Sequence, residues 1–446
     1  MKPEPAAGPQ SGIGSSMAAP RIYEAYMYSY PHKTAYGPLS GVNVFDYLES
    51  CDLKEAEVYF HIPFCADKCG YCNLFSVAGQ SEEYFERYLC AMAEQISHYG
   101  LRELAPRRIT LGGGTPLILS ETLLERLLRL LPGIDKAISC IETAPNETTK
   151  ARLEILKAFN VNRISVGVQS FLDSELASLK RRHSSRSVYN CLAMIKEYNF
   201  PVLNLDLIYG IPGQTISSLQ TSLEEGLKFA PEEIFIYPLY VRRGTGLAGA
   251  LVNEYRYDMY WFAQSLLKTA GYTQVSMRRF IKNSPLSSDN GLPKESCGFE
   301  TMLAIGSGGR SYLGKLHFCH PYTADMRVCQ KIIADYIDAP DKTRVTWGYI
   351  LNEDEQKRRF VIKNILHVQG ISPVEYREKF KTELCDDFPI LREWEEQDYA
   401  QAPAAAESSG QIRLTSLGLS LSDYIGPMLV SAEVRQRMER SAELQN

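Results

Sequence analysis

Six short apolar runs punctuate the first half of the chain. Each has the length of a strand and is rich in β-branched or aromatic residues. They are VYFHIPF (58–64), RRITLGG (107–113), AISCIET (137–143), RISVGVQ (163–169), VLNLDLIYG (202–210) and EIFIYPLY (233–240). Between them lie longer stretches whose apolar residues recur at helical spacing. SEEYFERYLCAMAEQISHYG (81–100) and SETLLERLLRLLPG (120–133) are the plainest, the second with Ser120 as N-cap and Gly133 as stop. This alternation implies right-handed crossovers and one parallel sheet, either an incomplete barrel or an open α/β sheet.

Polar residues interrupt this pattern in one recurring place. The runs end in Cys65, in a GGGTP turn (112–116), in Glu142, in Gln169, in Asp206 and in Tyr240. In α/β barrels the site lies at the carboxyl ends of the strands, so six runs aim polar groups at one rim. After about residue 245 the pattern loosens. NSPLSSDNGLPKES (283–296) reads as an exposed loop, followed by AIGSGGRSYLG (304–314) and HFCHPYTADM (317–326). Helical periodicity returns in NEDEQKRRFVIKNILHVQGISPVEYREKF (352–380) and continues to GQIRLTSLGLSLSDYIGPML (410–429). Helices followed by a short strand, a turn and a helix predict a smaller, helical, winged-helix-like domain, with AQAPAAAESSG (400–410) as a surface loop. The expected division is a disordered lead-in over 1–20, a barrel with flanking elements over 21–340 and the smaller domain over 341–446.

Composition narrows the partners. Net charge is −5, which gives no overall pull toward nucleic acid or an anionic membrane. No apolar run approaches the roughly 18 residues of a membrane span. The first twenty residues lack the apolar core of a secretory signal. Eight of the eleven cysteines are scattered, which fits buried thiols better than a disulfide framework and points to a reducing cytoplasm.

The other three are clustered in CADKCGYC, as Cys65, Cys69 and Cys72. A structural zinc site takes four ligands, usually as two short-spaced pairs, and no second pair stands at matching distance. A 4Fe–4S cluster also takes four, normally all cysteine. With three, one iron keeps an open position for a small chelating molecule.

This Cys-x3-Cys-x2-Cys motif with an aromatic before the third cysteine resembles the signature of the radical S-adenosylmethionine (SAM) enzymes. HIPFC, GGGTP, IETAP, RISVGVQSF, LKRRHS and NLDLIYGIPGQT, in that order, narrow the resemblance to the oxygen-independent coproporphyrinogen III oxidase family and its relatives. The match runs from about Tyr26 to Tyr240 and more weakly beyond. It implies a partial parallel (β/α)6 barrel, a 4Fe–4S cluster on Cys65, Cys69 and Cys72, and SAM on the fourth iron. It further implies cleavage of SAM to a 5′-deoxyadenosyl radical, with electrons from a low-potential donor such as flavodoxin or ferredoxin. Carried over by position, Tyr59 touches the SAM carboxylate and Tyr71 lies beside the adenine. Gly113, Gly114 and Thr115 line the methionyl amine. Glu142 accepts hydrogen bonds from SAM, Gln169 and Asp206 face the ribose, and Arg181 pairs with the carboxylate.

Two departures mark a divergent member. The oxidases carry a further cysteine two places after the third, where this chain has Leu74. The heme-chaperone branch carries a His-Asn-x-x-Tyr-Trp element that is missing here. The resemblance implies a small-molecule substrate, a tetrapyrrole, with Arg242 and Arg243 as partners for propionates. The alternatives are a heme-binding chaperone, or a radical SAM methyltransferase or cyclase of a specialised pathway. His317, Cys319 and His320 add a heme-ligand hypothesis, because imidazole and thiolate are both axial ligands.

Overall fold

The computed structural model describes residues 22–242, 244–251, 253–283, 301–402 and 410–444. The expected lead-in, nearly all of the loop at 283–296, Arg243 and residues 403–409 lie outside the described residues. The chain divides into two compact units. One comprises Tyr36–Asn253 and Glu300–Ile350, the other Met1–Ala35, Glu254–Phe299 and Leu351–Asn446.

The first unit carries the six expected strands: β1 (Glu57–Ile62), β2 (Arg108–Gly113), β3 (Ile138–Thr143), β4 (Arg163–Gln169), β5 (Val202–Tyr209) and β6 (Glu233–Pro238). They pair in parallel and in sequence order, β1 to β6. Crossover helices α1 (Glu82–His98), α2 (Glu121–Leu130), α3 (Lys150–Ala158), α4 (Ser185–Glu197) and α5 (Ile216–Leu227) connect them. Ser81 and Ser120 cap α1 and α2 by accepting from Tyr84 N and Leu123 N. The sheet also extends beyond β1. β7 (Met302–Ile305) pairs in parallel with β1, and β8 (Ser311–Leu313), β9 (Leu316–Phe318) and β10 (Trp347–Ile350) continue antiparallel. These strands come from runs of three or four residues, too short to show a period in the sequence.

The alternation along the parallel strands explains the site. Val58, Phe60 and Ile62 of β1, Ile109 and Leu111 of β2, Ile164 and Val166 of β4 and Leu203, Leu205 and Leu207 of β5 are fully buried. The intervening positions form polar rows in register: Tyr59, Thr110, Cys140 and Arg163 in one, Glu142, Ser165, Asn204 and Glu233 in the next. A parallel sheet buried on both faces would be apolar on both. One polar face means a hollow lined by functional groups. Deep in it, Arg163 reaches across β5 to Glu233, with Nη2 and Nε 2.8 and 3.0 Å from Oε2, and Nη1 lies 3.0 Å from Cys140 Sγ.

The second unit is largely helical, as expected for the C-terminal residues. Its helices include Arg256–Thr269, Glu353–Ile365, Pro373–Phe380 and Ala432–Leu444, and its described residues include two short antiparallel pairs, Tyr272–Gln274 against Arg279–Lys282 and Ala400–Gln401 against Arg413–Leu414. Two polar contacts hold its distant segments. Arg278 pairs with Asp423, both buried, and its guanidinium lies 3.8 Å over the Tyr26 ring. Tyr30 donates to Glu355, which also accepts from Ser431 at 2.6 Å.

In the first unit, Arg163→Met leaves the Glu233 carboxylate buried without its partner. The expected cost is about 3–5 kcal/mol, read as a lower urea midpoint. Arg163→Met/Glu233→Leu is expected to recover part of it, since the buried carboxylate that lost Arg163 is gone.

Candidate functional site

Residues 63–78 form a loop at the carboxyl end of β1 and carry all three clustered cysteines. The loop is strapped on several sides. Phe64–Cys65 pairs with Val77–Ala78. Gly70 N donates to Leu179 O (3.0 Å), Leu247 N to Gly70 O (2.7 Å), Lys68 Nζ to Ala324 O (2.6 Å) and Tyr322 OH to Asn73 O (2.6 Å). The Phe75 carbonyl lies 3.0 Å from His61 Nε2. Backbone satisfied at so many points fixes the thiols without a disulfide.

The glycine-rich turn after β2 closes on this loop. Gly114 N donates to Ile62 O (2.8 Å) and Thr115 N to Phe64 O (2.7 Å). A Cβ on Gly114 would lie 2.3 Å from Phe64 O and 2.9 Å from Cys65 Sγ, so only glycine fits. Thr115 Oγ1 is 3.8 Å from Cys65 Sγ. Burial, then the nearby Cys72 and Cys69, push the Cys65 thiol up to about 12. Burial also raises Cys69, against the pull of the Arg181 charge.

The hollow holds two carboxylates. Glu142 is reachable by water yet closely walled by protein, as a side chain lining a deep concavity is. Its Oε2 accepts from Gly113 N at 3.2 Å. Burial, then the Asp206 charge, push its carboxyl up to about 7, against the lowering effect of that amide. Asp206 is raised by burial, but accepts from Asn204 Nδ2 (2.9 Å) and Ser165 Oγ (3.3 Å), which favour its charged form.

On the β4 side a bulge falls between Gly167 and Gln169, and Gln169 takes a positive φ of 68°. A Cβ on Gly167 would meet Gln169 Nε2 at 2.8 Å and Arg181 Nη2 at 2.9 Å, which places those two side chains together over the strand. Arg181 Nη2 donates to Gly167 O (3.3 Å), and the guanidinium lies 5.8 Å from the Tyr71 ring centre. Among the described residues, Arg181 Nε is buried without a hydrogen-bond partner.

The structure thus gathers the cysteine loop with Gly114 and Thr115, Glu142 with Gly113 and Asp206, and Arg181 with Tyr71 and Gln169. Tyr59 is half-buried in the polar face, its hydroxyl 3.2 Å from His61 Nδ1. The histidine hypothesis fares differently. His317 is fully buried with its ring edge-on to Tyr312 at 4.7 Å, leaving no open face for a heme. His320 is half-buried, and burial lowers it to about 4. Arg242 lies 5.4 Å over the Tyr240 ring. Sequence reasoning missed His61, which bridges Tyr59 and the cysteine loop, although it is the first letter of HIPFC. It also missed Ser165 and Asn204, which hold Asp206.

The donor set fits an iron–sulfur cluster and SAM. The Cys65 and Cys69 thiols, raised by burial and by neighbouring cysteines, need a cationic metal group to become thiolates together. Among the described residues no three His, Cys, Asp or Glu side chains are grouped to hold a single metal ion. A cluster does not ask for such convergence, since each thiolate takes its own iron. The unpartnered Arg181 Nε near Cys69 suits a carboxylate-bearing ligand.

Gly114→Ala is expected to lower iron bound per chain after anaerobic reconstitution by about tenfold, with an unchanged far-UV circular dichroism spectrum. Full iron loading would show that the loop tolerates the added methyl.

The Radical SAM superfamily profile matches residues 59–225. Heme chaperone HemW of Bacillus subtilis is 27% identical over 385 residues, 82% of this chain and 97% of its own. HemW of Synechocystis sp. is 30% identical over 296 residues, 61% of this chain and 69% of its own. The mitochondrial radical S-adenosyl methionine domain-containing protein 1 of Bos taurus is 30% identical over 276 residues, 58% of this chain and 61% of its own. The solved coproporphyrinogen III oxidase (HemN) of Escherichia coli has the same fold, with a TM-score of 0.76 at 21% identity over 91% of this chain and 96% of its own. Radical SAM proteins bind a 4Fe–4S cluster and S-adenosylmethionine. Its motifs, its sheet order and these likenesses make this chain a divergent member of the HemN-like family within the radical SAM superfamily.

Proposed function

We propose that this chain cleaves SAM at a cluster held by Cys65, Cys69 and Cys72, and that its partner molecule is a tetrapyrrole. The observation that carries the reading is the strapped three-cysteine loop above a hollow lined by Glu142, Asp206, Gln169 and Arg181. When bound, the cluster and SAM supply one-electron reductive cleavage and hydrogen-atom abstraction. The chain's own residues bind, orient and screen. Arg181 offers an unsatisfied donor to the SAM carboxylate, and Tyr59 offers its hydroxyl to the same group. Gly113, Gly114 and Thr115 bring backbone close to the methionyl amine. Ionised Glu142 accepts from SAM, Gln169 and Asp206 meet the ribose hydroxyls, and Tyr71 lies against the adenine.

Heme is the tetrapyrrole favoured over coproporphyrinogen. The two HemW relatives are named heme chaperones. Leu74, exposed on the cysteine loop, stands where the oxidases carry their further cysteine. A low-potential electron donor such as flavodoxin or ferredoxin completes the partner set.

The test is anaerobic. Cluster-loaded wild type with SAM and a strong reductant is expected to form 5′-deoxyadenosine, and Cys69→Ala to form at least about a hundredfold less. Heme is expected to bind the wild type, and coproporphyrinogen III to be left unchanged. No deoxyadenosine from a fully loaded wild type sinks the radical reading, and decarboxylated product would move the assignment to the oxidase reaction.

Glu142 makes SAM binding depend on pH. With its carboxyl at about 7, the accepting form is lost as pH falls below that value. SAM affinity is expected to fall between pH 8 and pH 6, by up to about tenfold per unit at the lower end. Equilibrium dialysis with Glu142→Gln is expected to give weaker binding with that slope removed.

A further inference from the structure

A set of buried polar side chains lies just beneath the rim and has no role in the site as described. Glu175, in the short helix Asp173–Ser178, is 4% exposed, and Ser170, Gln214 and Ser222 are buried as deeply. Ser170 Oγ donates to Glu175 Oε2 at 2.6 Å, and Gln214 Nε2 donates to the same oxygen at 3.1 Å. Ser218 Oγ donates to Oε1 at 2.6 Å. Gln214 turns its own Oε1 back to accept from Gly210 N (2.7 Å) and Ile211 N (3.3 Å). Ser222 Oγ accepts from Phe171 N at 3.1 Å. One carboxylate therefore ties together the turn after β4, the turn after β5 and the start of α5.

Each tied segment leads to the site. Ser170 directly follows Gln169, whose left-handed backbone is one that a non-glycine residue keeps only when its surroundings enforce it. Gly210 directly follows β5, which carries Asp206. Leu179 N donates to Glu175 O (3.0 Å), and Leu179 O accepts from Gly70 N in the cysteine loop (3.0 Å). A carboxylate buried away from water is costly unless it is fully hydrogen-bonded, and a network so satisfied rigidifies what it joins.

We propose that Glu175 is a positioning residue for SAM: through Ser170 and Gln214 it fixes the turns after β4 and β5, so that Gln169 and Asp206 meet the ribose together. This rests on the assignment of those two residues to the ribose given above.

Wild type, Glu175→Gln and Ser170→Ala are compared after anaerobic reconstitution. Iron content, circular dichroism, SAM binding by equilibrium dialysis and deoxyadenosine formation across SAM concentration are measured on each. Replacing the carboxylate by an amide keeps the volume but puts a donor in place of one of the two acceptor oxygens, facing either Ser218 or the Ser170 and Gln214 pair. Glu175→Gln is expected to keep its iron and spectrum while its SAM dissociation and half-saturation constants rise about tenfold or more. Its rate at saturating SAM is expected to stay within about twofold. Ser170→Ala is expected to shift the same constants less, and Glu175→Gln/Gln214→Glu to recover part of the loss by returning a carboxylate to the network. Unchanged SAM affinity in Glu175→Gln overturns the proposal. So does loss of iron and secondary structure along with affinity, which would make the network a support of the fold. A wild type that binds SAM without cleaving it overturns the proposed radical function alone, because the binding comparison still decides the role of Glu175.

Discussion

The site depends on the approach of two backbones where no side chain fits. The Phe64 carbonyl and the Cys65 sulfur occupy the space that a Cβ on Gly114 would need. That contact lets Gly114 N and Thr115 N hydrogen-bond to Ile62 and Phe64, so the end of β2 holds the start of the cysteine loop. The remaining straps act on a loop already placed by this contact. Leu179, Leu247, Ala324 and Tyr322 each take or give one bond to it, and they come from three different parts of the first unit. These contacts set three thiols on one loop.

Electrostatics follow from the same geometry. The sheet turns one face toward a hollow instead of a second apolar layer, and that face holds Asp206 close enough to Glu142 to raise the cost of ionising Glu142. Two treatments of buried charge coexist there. Arg163 and Glu233 neutralise one another, so that part of the face is structural. Higher up, among the described residues, Asp206 accepts from the Asn204 amide and the Ser165 hydroxyl, and Glu142 from the Gly113 amide. Carboxylates held by neutral donors keep capacity for a ligand. Arg181, with Nε unpaired beside Tyr71, offers the complementary charge.

Much of this was legible in the chain itself. The six parallel strands end within two residues of the apolar runs that announce them, because β-branched and aromatic runs of that length have few other uses. The polar residues that close the runs could be read as one rim, because parallel strands bring all their carboxyl ends to the same side. Cys65, Cys69 and Cys72 were legible because short spacing needs no long-range folding to bring them together. What the sequence left hidden was the antiparallel extension by β8 to β10, where strands of three or four residues carry no period. His317 likewise looked available as a ligand until β9 placed it edge-on to Tyr312 in the core.

The sequence by itself determined the order of the elements, the family and the donor types, since each follows from local spacing and local chemistry. Only the tertiary structure decided which of those donors remain unsatisfied. Arg163 and Arg181 look equivalent in the chain, one arginine in RISVGVQSF and one in LKRRHS. Folding gives Arg163 the Glu233 carboxylate from two strands away and leaves Arg181 with a buried nitrogen that has no hydrogen-bond partner. Glu142 and Glu175 also look alike as single acidic letters. Folding opens Glu142 to the hollow and closes Glu175 among Ser170, Gln214 and Ser218. The reason is physical. Hydrogen-bond satisfaction and desolvation depend on neighbours that arrive from tens to more than a hundred residues away, and no local pattern records them.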